Sequence, residues 1–147
     1  MSSQPTSDGI PANDWSAVTA MAVKIANTAS ENRDEDAKRL TKELLRHLDR
    51  LEAKYGKLPS IVATRADYTD DDHARIALLK EAWRLAEERQ DARNLVLISS
   101  SLAQAYVEDV KDPTRGQKWI DRLEDALAGH WDDGEFRMLG KLKRQLN

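Results

Sequence analysis

The densest group of side chains able to hold a cation or move a proton is Asp67, Asp70, Asp71, Asp72 and His73. A calcium loop of the helix–loop–helix kind needs oxygens at alternate positions, a central glycine and a distant glutamate. This run has consecutive acids, no glycine and a helix pattern starting beside it. It therefore reads as negative charge at a helix N-terminus, with no metal expected. His47 and His130 show no metal-ligand spacing with the run or with each other, and His47 falls beside the apolar positions Leu44, Leu48 and Leu51. Ser99, Ser100 and Ser101 lack the Gly-x-Ser-x-Gly elbow that exposes a nucleophile. Cysteine is absent, which removes disulfides, thiol nucleophiles and thiolate zinc sites. No glycine-rich phosphate loop and no His-Glu-x-x-His motif occurs. No catalytic residue, cofactor site or metal ligand is assigned, and the expected class is non-enzymatic.

What remains is recognition. Tryptophan makes up four of the eight aromatic residues. Trp83 and Trp119 fall on apolar helix stripes, where packing explains them. Trp15 falls in the first turn of a helix and Trp131 in a turn rich in Asp, positions that are hard to bury. Tryptophan is enriched at binding hot spots, so the candidate partner-binding residues are Trp15, Trp131 and Tyr68, together with Asp67, Asp70, Asp71 and Asp72. The charge balance is 23 basic against 26 acidic residues, formally −3. No basic face suited to duplex phosphates is legible. The one local surplus, Arg137, Lys141, Lys143 and Arg144, complements the carbonyl end of a last helix. Nucleic acid is not an expected partner, and neither is a membrane: the longest uncharged stretch, residues 94–107, is too short for a span of about 20 residues. Residues 1–13 carry no apolar block or basic leader and read as a flexible tail. The expectation is a soluble, cytoplasmic protein with another protein as its partner, self-association being left open.

The elements that position these residues follow from apolar spacing. Trp15, Val18, Ala22, Ile25 and Ala29 recur by threes and fours, with Asn13 or Asp14 as the expected cap. Ala37, Leu40, Leu44, Leu48, Leu51 and Tyr55 form a second stripe, ended by Gly56 and Pro59. Residues 60–66 are short and apolar; they are assigned to helix because no second strand exists to pair with them. A long helix runs to Gln90, and Thr69 with Asp72 predicts a capping box at its start. Residues 94–107 hold no charge and mark the most buried helix, with the serine hydroxyls bonded to the preceding turn. Asp112-Pro113 starts another helix, and Asp132 with Glu135 caps the last. The fold expected is all-α: a single domain over residues 14–147, with about six to seven helices in antiparallel hairpins. These hairpins stack as a short α-solenoid or a right-handed helical bundle.

Leu79-Lys80-Glu81-Ala82-Trp83 repeats its pattern of apolar and charged positions at Leu123-Glu124-Asp125-Ala126-Leu127, 44 residues on. Leu102, Ala103 and Tyr106 on one helix, followed by Gly116, Ile120 and Ala126 on the next, resemble a tetratricopeptide repeat. Val62 and Ala63 with Leu79 and Ala82 form a fainter copy. The departures are a period longer than the family's, which is about 34, and a turn over residues 107–112 about one residue too long. The resemblance implies a curved stack of hairpins whose groove takes a peptide or a partner's helix, and no ligand-holding residue carries over. The alternative is an acidic inhibitor of the immunity or antitoxin kind, masking a basic enzyme with its aspartates.

Overall fold

Proline or an acidic cap marks the start of every described helix except one, which follows Arg33 without a side-chain cap. The computed structural model describes residues 4–147, and among these it contains seven helices and no strand. They are α1 (Ala12–Ser30), α2 (Asp34–Tyr55), α3 (Pro59–Asp67), α4 (Asp72–Arg89), α5 (Ala92–Gln104), α6 (Pro113–Gly129) and α7 (Asp133–Leu146). Asp112 caps α6 by accepting from the Arg115 amide, with Pro113 in the first turn; Asp132 caps α7 by accepting from the Glu135 amide. Both match the expectation. Two other caps do not. Pro11 occupies the cap of α1 without a side-chain bond, and Asn13 and Asp14 lie inside the helix. At α4, Asp71 accepts from the Ala74 amide, while the Thr69 hydroxyl donates to the Arg65 carbonyl. Asp71 is adjacent to the first turn and its short side chain reaches the orphan amide; Thr69 is still occupied with the end of α3.

α1 and α2 run antiparallel, since Asp14 at the start of α1 pairs with Tyr55 and Lys54 at the end of α2. Their shared core is Val18, Ile25, Leu40, Leu44, Leu48 and Leu51, joined by Ile10, Leu58 and Ile61. A second core is built from α3 to α7, with Val62, Leu79, Ile98, Leu102, Trp119, Ile120, Leu123 and Leu142 at its centre. α3 therefore serves two cores at once: Ile61 faces one, and Val62 and Ala66 face the other. Residues one step apart on a helix point about 100° apart, which makes the division possible.

α5 holds more buried residues than any other helix, seven, and it carries the charge-free run. Ser99 and Ser100 are buried, and the Ser99 hydroxyl donates to the Leu95 carbonyl at 2.6 Å. α5 continues into one π turn, Ala105–Asp109, closed by the Val110 amide on the Ala105 carbonyl at 3.0 Å. A π turn holds one more residue than an α turn, which accounts for the extra residue between α5 and α6. It also brings Val107 and Tyr106 against Gly116, where a Cβ would meet Val107 Cγ2 at 2.7 Å. Gly116 is therefore required by close approach. Gly116→Leu is expected to destabilise the fold by about 1–3 kcal/mol through overpacking. Gly129→Ala, facing open space, serves as the control and leaves the urea midpoint unchanged or higher.

Candidate functional site

The segment before α1 is the largest departure from expectation. Residues 1–3 of the expected tail lie outside the described residues. From residue 4 onward the chain is folded back onto the helices. A turn closes from the Thr6 amide to the Ile10 carbonyl at 3.0 Å, with Gly9 at φ +108°, a conformation that favours glycine. Ile10 is completely buried in the α1–α2 core. Asp8 accepts from the Ser60 amide at the start of α3 at 2.7 Å, and the Ser7 hydroxyl donates to Asp91 at 2.6 Å. Between them lies the buried side chain of Asn94. Its amide nitrogen has two hydrogens to share among Ser7 Oγ, Asp8 Oδ2, Ser60 Oγ and Asp91 Oδ2, all within 3.3 Å. Asp91, at 2.7 Å, is the nearest. One apolar anchor, Ile10, thus ties the arm to the α1–α2 core, and one amide, Asn94, ties it to α3 and α5.

The arm forms one wall of a cavity of 350 Å³. Trp15 and Thr19 of α1, Ala63, Thr64 and Asp67 of α3, and Arg93, Leu97 and Ser101 of α5 supply the rest. Leu97 is 36% exposed. Asp67 is open to solvent at its edge, but the surrounding walls crowd its carboxyl. Burial pushes that group up to about 6, against the opposing pull of the Arg75 guanidinium. Among the described residues Asp67 accepts no hydrogen bond and forms no ion pair.

The other sequence candidates lie elsewhere. Tyr68 and Asp70 line a separate groove of 720 Å³ beside the first turns of α2. Asp71 is engaged as the α4 cap, and Asp72 pairs with Arg75 at 2.8 Å, the same guanidinium that reaches Asp109 at 2.5 Å. The aspartates of this run therefore divide among a cavity, a groove, a cap and an ion pair. Trp131 is 58% exposed and stacks on Phe136, with ring centroids 4.6 Å apart; its indole N–H donates to Asp133 at 2.6 Å. Trp83 and Trp119 meet edge to face at 5.2 Å, as packing residues do.

Sequence reasoning overlooked the arm because Ser, Asp and Gly in it look like tail composition, and overlooked Asn94 because a buried amide has no periodic signature. It also missed a cationic cluster formed by Lys80 on α4 with Arg115, Lys118 and Arg122 on α6. The steps of three and four along α6 were a legible signal for that stripe; Lys80 across the groove had none. Among the described residues no three acidic or histidine side chains converge as a metal site requires, and no helix is long and apolar enough to cross a membrane. Comparison with protein-family models, curated proteins and solved structures gives no match.

Two expectations follow. A carboxyl held near 6 in the folded chain, against an ordinary 3.8, favours folding in its protonated form. That contribution is complete below the ordinary value and is lost as pH rises through about 6. Thermal melts should therefore show Asp67→Asn more stable than the parent chain at pH 8 and no more stable at pH 4. Replacing Asn94 with Leu leaves Asp8 and Asp91 without their shared donor. It should cost about 1–3 kcal/mol and expose the Gly9–Ile10 bond to thermolysin under native conditions.

Proposed function

We propose that this chain is a non-enzymatic, cytoplasmic interaction module that holds an extended segment of a partner protein in the cavity between α1, α3 and α5. The observation that carries this reading is the meeting of Trp15, the exposed Leu97 and the unpaired Asp67 around 350 Å³ of open volume. Two of these, Trp15 and Asp67, are residues the sequence already marks for recognition. An aromatic anchor beside apolar surface supplies affinity, and a carboxylate without an ion-pair partner supplies selectivity. Asp67 is the last residue of α3, where the helix carbonyls already make the potential negative. A lysine or arginine of the partner is therefore the complementary group. The tetratricopeptide-like pairing of Leu102, Ala103 and Tyr106 with Gly116, Ile120 and Ala126 supports the same reading, since such hairpin stacks present a groove to peptides.

The acidic-inhibitor alternative draws no support from a specific contact. It needs the aspartates of residues 67–72 as one free surface, whereas Asp71 and Asp72 are bound within the chain.

Peptides displayed on phage and selected on the full chain test the proposal. The expected outcome is enrichment of segments combining a basic residue with apolar ones. Each of Trp15→Ala and Asp67→Asn should weaken the selected peptides by about tenfold or more. No enrichment, or binders indifferent to both substitutions, would refute it.

A further inference from the structure

On the side of the molecule built by α4 and α6, a groove of 300 Å³ is lined by Lys80, Trp83, Tyr106, Arg115, Lys118, Trp119 and Arg122. It contains four cations and no carboxylate, in a chain whose formal net charge is −3. Among the described residues Lys80, Lys118 and Arg122 form no ion pair. Arg115 alone has a partner, Asp112 at 2.6 Å. The adjoining groove of 520 Å³ shares Lys80, Tyr106 and Arg115, and its single carboxylate is that same Asp112.

Like charges three and four residues apart on a helix repel each other. Arg115, Lys118 and Arg122 stand at those steps, so α6 carries a stripe of like charge facing the groove. The aromatic rings beneath hold the cations in place. Arg122 lies over the Trp119 ring at 4.3 Å and over Trp83 at 5.8 Å, and Lys80 lies 5.5 Å from the Tyr106 centroid. Cations positioned over aromatic faces keep their hydrogen-bond donors free for an anion.

We infer that this face docks an acidic peptide segment of a partner protein. From Arg115 to Arg122 the helix rises about 10 Å, more than one isolated phosphate or carboxylate spans. An extended peptide presents same-side side chains about every 7 Å, so two carboxylates along one strand fit the Arg115–Arg122 stripe while Lys80 closes the opposite wall. A single-stranded nucleic acid has a comparable charge spacing but needs open rings for its bases. Trp119 and Tyr106 are only 4% and 5% exposed, and Arg122 lies over the Trp119 and Trp83 rings. The face shares no lining residue with the Trp15–Asp67 cavity, and the two take segments of opposite charge.

Fluorescence anisotropy with a short fluorescein-labelled Glu/Asp-rich peptide tests the inference on the full chain, alongside its Gln/Asn counterpart and a single-stranded oligonucleotide of equal charge. The expected result is saturable binding of the acidic peptide alone, weakening steeply with salt. Lys118→Glu and Arg122→Glu should each lower affinity about tenfold or more, and Trp15→Ala should leave it unchanged. Lys118→Gln and Arg122→Gln decide the matter if circular dichroism shows the charge reversals unfolded. Absence of binding at low salt, equal or tighter binding of the oligonucleotide, or affinity indifferent to the α6 substitutions would overturn the assignment.

Discussion

The two-sided burial of α3 is the constraint on which the rest of the structure depends. Nine residues are too few to hold a helix in water, where about 12–15 are needed even for favourable sequences. α3 exists because Ile61 is packed into the α1–α2 core while Val62 and Ala66 are packed into the core of α4 to α7. Without it the α1–α2 hairpin would have little apolar surface through which to join the remaining helices. The start of α3 is tied by Asp8 to the arm and by Ser60 to Asn94, and its end carries Asp67 into the cavity. Core, arm and cavity thus share one short element.

The polar network around Asn94 gives this junction direction. Apolar packing alone tolerates sliding of one helix along another, because dispersion and burial are only weakly directional. Asp8, Ser60, Asp91 and Asn94 accept or donate at fixed geometry, so a shift of α5 against α3 would break several contacts together. Asp8 Oδ1 is buried with no partner among the described residues, which adds to the energetic stake in keeping the other oxygen bonded. The cavity is consequently framed by elements whose relative register is set, a property useful for recognition.

Its two candidate recognition surfaces differ in electrical character. Around Asp67, a carboxylate sits at the carbonyl end of a helix and is crowded, though still open at its edge, by the cavity walls. Between α4 and α6, cations are stacked on indole and phenol rings with no acid among them except at one edge. Among the described residues, Asp67 has no ion-pair partner at the first surface, nor do Lys80, Lys118 and Arg122 at the second. Ion pairs elsewhere on the surface include Lys57–Glu81, Arg84–Glu88 and Lys143–Glu124.

Helix count and most boundaries were legible from spacing alone. The stripe Leu40, Leu44, Leu48, Leu51 and the starts at Asp112-Pro113 and Asp132 are local facts, set by a periodicity of 3.6 and by orphan amides that a nearby side chain can reach. The burial of α5 was likewise written in its charge-free run. Tertiary structure alone decided that residues 4–10 form an arm, that Asp67 parts company with Asp71 and Asp72, and that Lys80 faces Arg122 across a groove. The physical reason is range. Helix propensity and capping act within one turn of the chain, whereas Asp8 meets Ser60 and Ser7 meets Asp91 across 52 and 84 residues, a separation no local pattern encodes.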